Sequence, residues 1–335
     1  MDPNRLGSLE HNYTPMMKFI KNNIIILVLF IICVIATVIF IPQFFSVQNI
    51  MNVARQISTI GIVSVGMMFV ILTGGIDLSA GGVLALSGIV FSMMAQKGYD
   101  IGLAIAAALS IGLLVGFLNG FGVLFFGIQP FIMTLATSSI TSGLALLICN
   151  GIPVEFTRIV SPVIDFLGNG NYFGLPGPFI VFLIITVGSI VALKYLPFGR
   201  YVYSIGGSFE GARLSGVRTT RVVLIVYMIC SLCAAMGGII TASRLYVGHP
   251  TAGSGTALSS IAAIVIGGAS LSGGKGNMIG TVVGVILMTV ISNLLNIIGV
   301  ASYNQDIVIG IIIIVAILIS TKDLKQYFNQ ALRGL

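Results

Sequence analysis

The chain has 335 residues, of which 57% are hydrophobic and 7% are charged, with a formal net charge of +7. Soluble domains carry about 25% charged residues, so this composition excludes a water-covered surface and indicates an integral membrane protein. Most basic residues lie between apolar runs, which favours a role in membrane orientation and argues against nucleic-acid binding.

Long apolar segments follow one another along the chain and predict an all-α protein with about ten transmembrane helices. The first segment is too long for a signal-peptide core, so we interpret it as a retained span. The eighth is short for a full crossing, which favours a re-entrant or broken span. The predicted segments are 24–41, 50–72, 78–96, 101–126, 130–149, 178–195, 222–243, 257–271, 277–298 and 304–320.

Lysine and arginine positions orient these spans. With the N-terminus inside, twelve basic residues fall in cytoplasmic segments, and three fall outside, namely Lys97, Arg158 and Arg244. This asymmetry follows the positive-inside rule. We therefore predict a cytoplasmic N-terminal segment (1–23), a transmembrane domain (24–320) and a cytoplasmic C-terminal tail (321–335).

Two glycine-flanked stretches resemble each other, GGIDLSAGG at 74–82 and GGASLSGG at 267–274. They indicate a possible internal repeat, although both fall on the predicted cytoplasmic side, which does not fit a simple inversion of two five-span halves. A repeat with another starting helix and chance similarity both stay open. Asp77 precedes an apolar run and is predicted to cap that helix, with gating or partner contact as the alternative. The predicted turn or gate residues are Gly74, Gly75, Asp77, Ser79, Gly273 and Gly274.

Few side chains could carry catalysis or bind a metal. The two histidines, His11 and His249, are isolated, and no metal-ligand spacing is present, so we predict neither a metal site nor an enzyme. The stretch ASLSGGKGN resembles a phosphate-binding loop but has Ala269 where glycine is needed and Gly276 where a hydroxyl is needed. Any use of ATP is therefore expected in a partner subunit.

An ion gradient is the other possible energy source. Charged residues inside spans are costly and usually functional, so an ion-coupled carrier should contain some. The candidates are Arg55, Asp77 and Asp306, and each lies near a predicted helix end. The sequence therefore gives weak support to an ion-coupled secondary carrier.

The longest predicted cytoplasmic loop, 197–221, contains a short helix signal. Ser208 is a suitable N-cap, Glu210 lies in the first turn, and Gly216 is a C-terminal stop. Two turns are too short for independent stability, so we expect this helix to dock on a partner, with a solvated basic loop as the alternative. The docking residues are Ser208, Phe209, Glu210, Gly211, Ala212, Arg213 and Leu214.

Several sequence motifs resemble those of the permease subunits of ABC importers for ribose, xylose, arabinose and galactosides. The motifs of the ribose permeases are the most similar. The similarity covers residues 45–320. It is carried by VILTGGIDLSAG at 70–81, IQPFIMTLAT at 128–137, GRYVYSIGG at 199–207, ARLSGV at 212–217, PTAGSG at 250–255 and GGASLSGGKGNMIGT at 267–281.

This resemblance implies an importer for a simple sugar, such as a pentose, in the bacterial cytoplasmic (inner) membrane. It implies a second permease copy, ATPase subunits that bind ATP and Mg²⁺, and an extracytoplasmic sugar-binding protein. The helix at 208–214 would be the coupling helix that sits in a groove of the ATPase. A permease for branched-chain amino acids or another small solute is the alternative within the same superfamily.

The chain departs from the family pattern at two places. The coupling helix usually reads Asn-x-Glu-Ala-Ala in the family, whereas this chain has Ser208, Glu210, Gly211 and Ala212. Ala257 and Ser259 stand where the family has acids. Polar residues in the spans are candidates for the substrate path, with cross-helix hydrogen bonding as the alternative: Asn119, Thr134, Thr137, Ser259, Ser260 and Asn293.

Overall fold

The computed structural model describes residues 42–156, 161–301, 304–305, 307–312 and 314. The predicted first span at 24–41, Asp306 and the C-terminal tail lie outside the described residues. The chain divides into two compact units, 1–46 and 47–335. The described part of the first unit is a 3-10 helix, Pro42–Phe45.

The second unit is a helical bundle with a few very short strands. Strand β1 pairs with β4 and β2 with β3, both antiparallel. The strands are β1 (Val154–Glu155), β2 (Asn171–Tyr172), β3 (Leu175–Pro176) and β4 (Val247–Gly248). The helices are α1 (Val47–Leu72), α2 (Ala80–Gln96), α3 (Ile101–Phe125), α4 (Pro130–Ile148), α5 (Pro162–Leu167), α6 (Gly177–Tyr195), α7 (Pro197–Gly207), α8 (Phe209–Leu214), α9 (Thr219–Leu245), α10 (Thr256–Ile266) and α11 (Met278–Ile297).

Eight of the predicted apolar segments coincide with these helices. Six helices in the described part of the chain are long and apolar enough to cross a membrane, namely α1, α3, α4, α6, α9 and α11. The apolar helices α2 and α10 are shorter. The chain is thus a mostly helical integral membrane protein, while the total of ten spans and the positions of the termini stay predictions.

Helix α9 lies at the centre of the bundle and packs against α1, α2 and α3. Small residues make this close packing possible, because a Cβ on Gly116 would lie 2.6 Å from backbone atoms of Met228 and Tyr227. Most residues of helices α3, α4 and α6 are not buried within the described bundle, as is typical of helices that face lipid.

The eighth predicted span is broken, as the sequence indicated. After α9 the chain packs closely against the end of α2 at Gly248, where an added Cβ would lie 2.6 Å from the Ser92 hydroxyl. It then runs back along α2 to its start. There the Gly253 carbonyl packs against Gly81, and a Cβ added to Gly81 would lie 2.5 Å from that oxygen. Only then does α10 begin, and its 11 residues span about 16 Å, roughly half of the hydrocarbon core. Helix α10 therefore starts inside the bundle.

Candidate functional site

The predicted docking helix is present as α8. The Ser208 hydroxyl accepts a hydrogen bond from the Gly211 N–H over 3.0 Å, which confirms the predicted N-cap. Gly216 follows the helix with φ +83°, and the Val217 N–H donates to the Ala212 carbonyl over 3.1 Å. This is the helix stop that the sequence indicated.

Helix α8 turns part of its apolar surface outward. Phe209 and Leu214 are 45% and 79% exposed, while Ala212 is buried. Glu210 and Arg213 form an ion pair with an N–O distance of 2.6 Å, and this hydrogen bond and charge raise the pKa of Arg213. The exposed face therefore combines two apolar side chains with one ion pair, as a docking surface for another protein would.

Helix α7, which the sequence analysis missed, connects α8 to the second glycine-flanked turn and to the end of α1 before the first. The Tyr203 hydroxyl donates to the Gly276 carbonyl over 2.9 Å. Gly206 is packed so closely that an added Cβ would collide with the Leu72 carbonyl and the Gly274 N–H. Pro197 at its first turn and the apolar residues Val202 and Ile205 on its buried side are the signals that could have revealed α7.

The two glycine-flanked turns contact each other directly. The Gly274 N–H donates to the Leu72 carbonyl over 2.9 Å, and a Cβ on Gly273 would lie 2.8 Å from the backbone nitrogen of Gly74. The structure therefore brings Gly74, Gly273 and Gly274 together next to α7. Their role in gating stays a prediction.

Asp77 is completely buried just before α2. One carboxylate oxygen accepts hydrogen bonds from the Ser79 N–H over 2.9 Å and from the Ser79 hydroxyl over 2.5 Å. Asp77 thus accepts from a backbone N–H just before α2, as expected of a cap, although the N-cap position itself is Ser79, which makes no side-chain cap bond. The Asn119 amide donates to the same Ser79 hydroxyl over 2.8 Å, so Asp77 is linked through Ser79 to α3.

The side chains of most predicted path residues form hydrogen bonds within or between helices. Thr134 donates to the carbonyls of Ile76 and Pro130, and Thr137 donates to that of Met133. Asn293 exchanges two 3.0 Å hydrogen bonds with Asn49.

The two neighbouring serines on α10 differ in exposure, since Ser260 is buried and Ser259 is half-buried. Asn119, the remaining predicted path residue, donates a hydrogen bond to Ser79. Within the described residues, none of the six lines the cavity described next, and their role in transport stays a prediction.

A cavity of about 440 Å³ lies where the eighth span is broken. Its walls come from α2, α4, the non-helical segment 250–255 and the start of α10. The N-cap residue of α10 is Gly255, so no side chain caps this helix. It is lined by Leu78, Gly81, Gly82, Ala85, Leu135, Ser138, Ser142, Leu146, Pro250, Thr251, Gly253, Ser254, Gly255, Ala257 and Leu258. None of these side chains is charged, and four carry hydroxyl groups. A cavity of this size suits a small organic ligand.

Sequence reasoning missed four hydroxyl residues of this cavity. Ser138 and Ser142 are four apart on α4 and therefore share one helix face, a spacing that could have identified them. Thr251 and Ser254 lie in the PTAGSG string, which was noted only as part of a family resemblance. Nothing in that string by itself indicates that the chain turns back into the bundle.

The fold and these sites define a multi-pass membrane protein with an uncharged cavity at a broken span, an arrangement typical of transport proteins. Residues 49–317 match the family model described as "Branched-chain amino acid transport system / permease component". The match covers most of the chain, and the protein belongs to this permease family.

Individual relatives cover nearly the whole chain. The ribose import permease protein RbsC of Escherichia coli (strain K12) is 38% identical over 300 residues, 89% of this chain and 92% of that protein. RbsC of Bacillus subtilis (strain 168) is 40% identical over 294 residues, covering 88% and 91%. The L-arabinose transport system permease protein AraH of E. coli K12 is 34% identical over 292 residues, covering 87% and 88%. No solved structure matches the chain.

Proposed function

We propose that this chain is the permease subunit of an ATP-driven ABC importer and forms the membrane path for a simple sugar. A pentose is the first candidate, since two of the relatives named above are ribose import permeases. The observation that carries the choice of a sugar is the cavity at the break in the eighth span, which has no charged lining side chain and has four hydroxyl-bearing residues among its 15 lining residues.

The cavity distinguishes a sugar from an amino acid. An amino acid carries an ammonium and a carboxylate group, and each costs several kcal/mol to bury without a charged partner. A sugar is neutral, and its hydroxyl groups can exchange hydrogen bonds with water for bonds to Ser138, Ser142, Thr251 and Ser254. The cavity therefore favours a sugar over the branched-chain amino acids that the family description names.

The energy for transport comes from partner subunits in this proposal. The chain needs no cofactor and has no ATPase activity of its own, and ATP and Mg²⁺ bind to a cytoplasmic ATPase that receives α8 in a surface groove. An extracytoplasmic binding protein delivers the sugar, and a second copy of the chain completes the path. The Lys and Arg distribution supports this orientation, because it places α7 and α8 inside.

A chain of contacts leads from α8 to the cavity. Helix α7 precedes α8 and is joined to it by Ser208. Helix α7 contacts Gly276 through Tyr203, and it contacts Leu72, just before the first glycine-flanked turn, and Gly274 of the second turn through Gly206. The first of those turns continues through Asp77 into Leu78, which lines the cavity. ATP-driven movement of α8 would therefore displace one wall of the cavity, which is how we expect the path to switch its opening between the two sides of the membrane.

Reconstitution tests the proposal. The chain is placed in proteoliposomes with its ATPase and binding protein, and uptake of radiolabelled ribose, arabinose and leucine is measured with and without ATP. We expect ATP-dependent pentose uptake. Leucine uptake instead would identify the amino-acid alternative, and uptake by the chain alone under an imposed proton or sodium gradient would identify a secondary carrier.

A further inference from the structure

The imidazole of His249 is hydrogen-bonded to one wall of the cavity. Among the described residues, Pro250 and Thr251 line the cavity and His249 does not. The Nδ1 atom of His249 lies 2.9 Å from the Thr251 hydroxyl and 3.4 Å from the Thr251 backbone nitrogen. A ring outside the cavity lining is thus in direct contact with the hydroxyl of a residue that forms the lining.

A tight turn fixes the backbone of Thr251 relative to this ring. The Ala252 N–H donates to the His249 carbonyl over 3.0 Å, which closes a β-turn with Pro250 at the second position, where its fixed φ is favoured. The Ser254 N–H donates to the Thr251 carbonyl, also over 3.0 Å. Because the backbone is held on both sides of Thr251, the imidazole can set the direction of the Thr251 hydroxyl proton.

The two groups around Nδ1 determine where the imidazole carries its proton. A neutral imidazole has one protonated and one unprotonated nitrogen, and a backbone N–H can only donate. A proton on Nδ1 would point at the Thr251 N–H, so Nδ1 is the acceptor and Nε2 carries the proton. The Thr251 hydroxyl therefore donates to Nδ1 over 2.9 Å.

This hydrogen bond leaves the Thr251 hydroxyl with acceptor capacity only. A hydroxyl group has one donor proton and two acceptor lone pairs, and the proton of Thr251 is directed at His249. Without the imidazole, the same proton would be free to rotate. Thr251 thus offers lone pairs to a ligand, and the matching ligand group is an O–H that donates.

The helices around the cavity provide no charged partner for His249. Helices α2, α4 and α10, which form the other walls, contain no charged residue in their sequences. A carboxylate from these helices therefore cannot bind the imidazole, and its hydrogen bonds at the cavity are those to Thr251. This favours a role of His249 in orienting a hydroxyl group.

We propose that His249 is a positioning residue that holds the Thr251 hydroxyl as a hydrogen-bond acceptor for a hydroxyl group of the transported sugar. This inference rests on the proposed function and adds to it a specificity-determining residue outside the cavity lining. A fixed acceptor favours a ligand that has a donor at that point, because a ligand without one leaves the acceptor unpaired.

Two substitutions of similar size separate the acceptor from the ring. In His249→Asn the side-chain oxygen can take the place of Nδ1, since both atoms are bonded to Cγ, and it can accept from Thr251. In His249→Leu a methyl group takes that place and accepts nothing. We expect His249→Leu to lower the maximal uptake rate about fivefold, as for one lost hydrogen bond, and His249→Asn to restore most of the wild-type rate.

The assay uses the complete importer in proteoliposomes with ATP, while the sugar-loaded binding protein is titrated. The half-saturating concentration of the binding protein should stay unchanged, because His249 acts on sugar inside the cavity. Thr251→Val keeps the shape of the side chain and removes its hydroxyl, so it should lower the maximal rate as His249→Leu does.

The double variant His249→Leu, Thr251→Val provides the decisive comparison. If His249 acts through the Thr251 hydroxyl, the double variant should be no slower than Thr251→Val alone. Additive losses, or a His249→Asn variant as slow as His249→Leu, would overturn the proposal although the importer stands.

Nitrogen NMR tests the orientation of the hydrogen bond without transport. His11 and His249 are the two histidines of the chain, so His11→Gln labelled with isotopic histidine gives imidazole signals from His249 alone. At alkaline pH, where imidazoles are neutral, we expect Nδ1 to have the shift of an unprotonated, hydrogen-bonded nitrogen, and this signal to move in Thr251→Val. A protonated Nδ1 would overturn the proposal even if the wild type imports pentose.

The same measurements distinguish a failure of this inference from a failure of the proposed function. If the wild type shows no uptake that depends on ATP and the binding protein, the proposed function fails, and the role of His249 in sugar transport fails with it. The failure is confined to His249 if the wild type imports pentose and His249→Leu imports it at the same rate.

Discussion

The Tyr203 hydroxyl donates a hydrogen bond to the backbone carbonyl of Gly276 over 2.9 Å and so joins α7 to the segment that directly follows the second glycine-flanked turn. Burial raises the pKa of the Tyr203 hydroxyl, so the donor keeps its proton at neutral pH. Its contribution to stability is present below about pH 10, the usual pKa of tyrosine, and is lost as the pH rises through the higher folded-state pKa.

We expect Tyr203→Phe to weaken the coupling of ATP hydrolysis to transport. The lost hydrogen bond corresponds to about 1 kcal/mol, so the amount of sugar moved per ATP hydrolysed should fall about fivefold while ATPase binding persists. The measurement is the ratio of uptake to phosphate release in proteoliposomes. Tyr201→Phe, on the exposed side of the same helix, is the control, and equal ratios for the two variants would contradict the prediction.

The tight contact of Gly206 predicts a packing defect on substitution. Gly206→Ala would force α7 away from Leu72 and Gly274, and overpacking of this kind costs about 1–3 kcal/mol. We expect a lower Tm of the detergent-solubilised chain. Gly207→Ala is a neighbouring control with open space around the new methyl group, and a Tm loss of the same size there would show that contact with the turns is not the cause.

Reversal of both charges on α8 should disrupt ATPase docking without unfolding the helix. The double variant Glu210→Arg, Arg213→Glu can keep an ion pair at the same i, i+3 spacing while it presents the opposite charges to a partner. We expect the ATPase to co-purify with the wild-type chain and to be lost with the variant. If it co-purifies equally with both, the importer stands but these docking residues are wrong.

Asp77→Asn separates the acid group of Asp77 from its hydrogen bonds. The Asn oxygen can still accept both hydrogen bonds from Ser79, so we expect Tm to change little and uptake to fall because an amide cannot release or take up a proton in the predicted gate. Asp77→Leu removes the acceptor, which should lower Tm, since an orphaned buried polar group costs about 1–3 kcal/mol. Asp77 has only a packing role if Asp77→Asn leaves uptake and ATPase coupling intact.

A substitution that fills the cavity should block the sugar path. Ser142→Leu adds volume and removes a hydroxyl from the wall, so we expect uptake to fall at least tenfold while binding of the ATPase is unchanged. Ser139 lies on the exposed side of the same helix and does not line the cavity, which makes Ser139→Leu the control. Similar uptake by the two variants would exclude this cavity from the path.

Local sequence patterns predicted most of the helices and the short docking helix. Continuous apolar runs must form helices in lipid, because every backbone N–H and C=O group needs an internal partner there. Ser208 and Gly216 likewise mark the ends of α8 through their own side-chain and backbone properties. These signals depend on neighbouring residues only, so no contact between distant segments was needed to read them.

The candidate site depends on contacts between segments far apart in the chain, which explains what the sequence did not predict. Asp77 was expected to accept from a backbone N–H before α2, and it does, but the link through the Ser79 hydroxyl to Asn119 on α3 was not expected. The cavity exists because Gly253 packs on Gly81 and carries segment 250–255 back into the bundle.

The sequence by itself therefore determined the membrane class, the helix positions and the family resemblance, because hydrophobicity and capping act over a few residues. Only the tertiary structure decided that the two glycine-flanked turns meet at α7, that the eighth span opens a cavity, and that Arg55 lies beside the β2–β3 hairpin. Each of these features is a close approach of backbones or side chains, and such approaches are fixed by packing across the whole bundle.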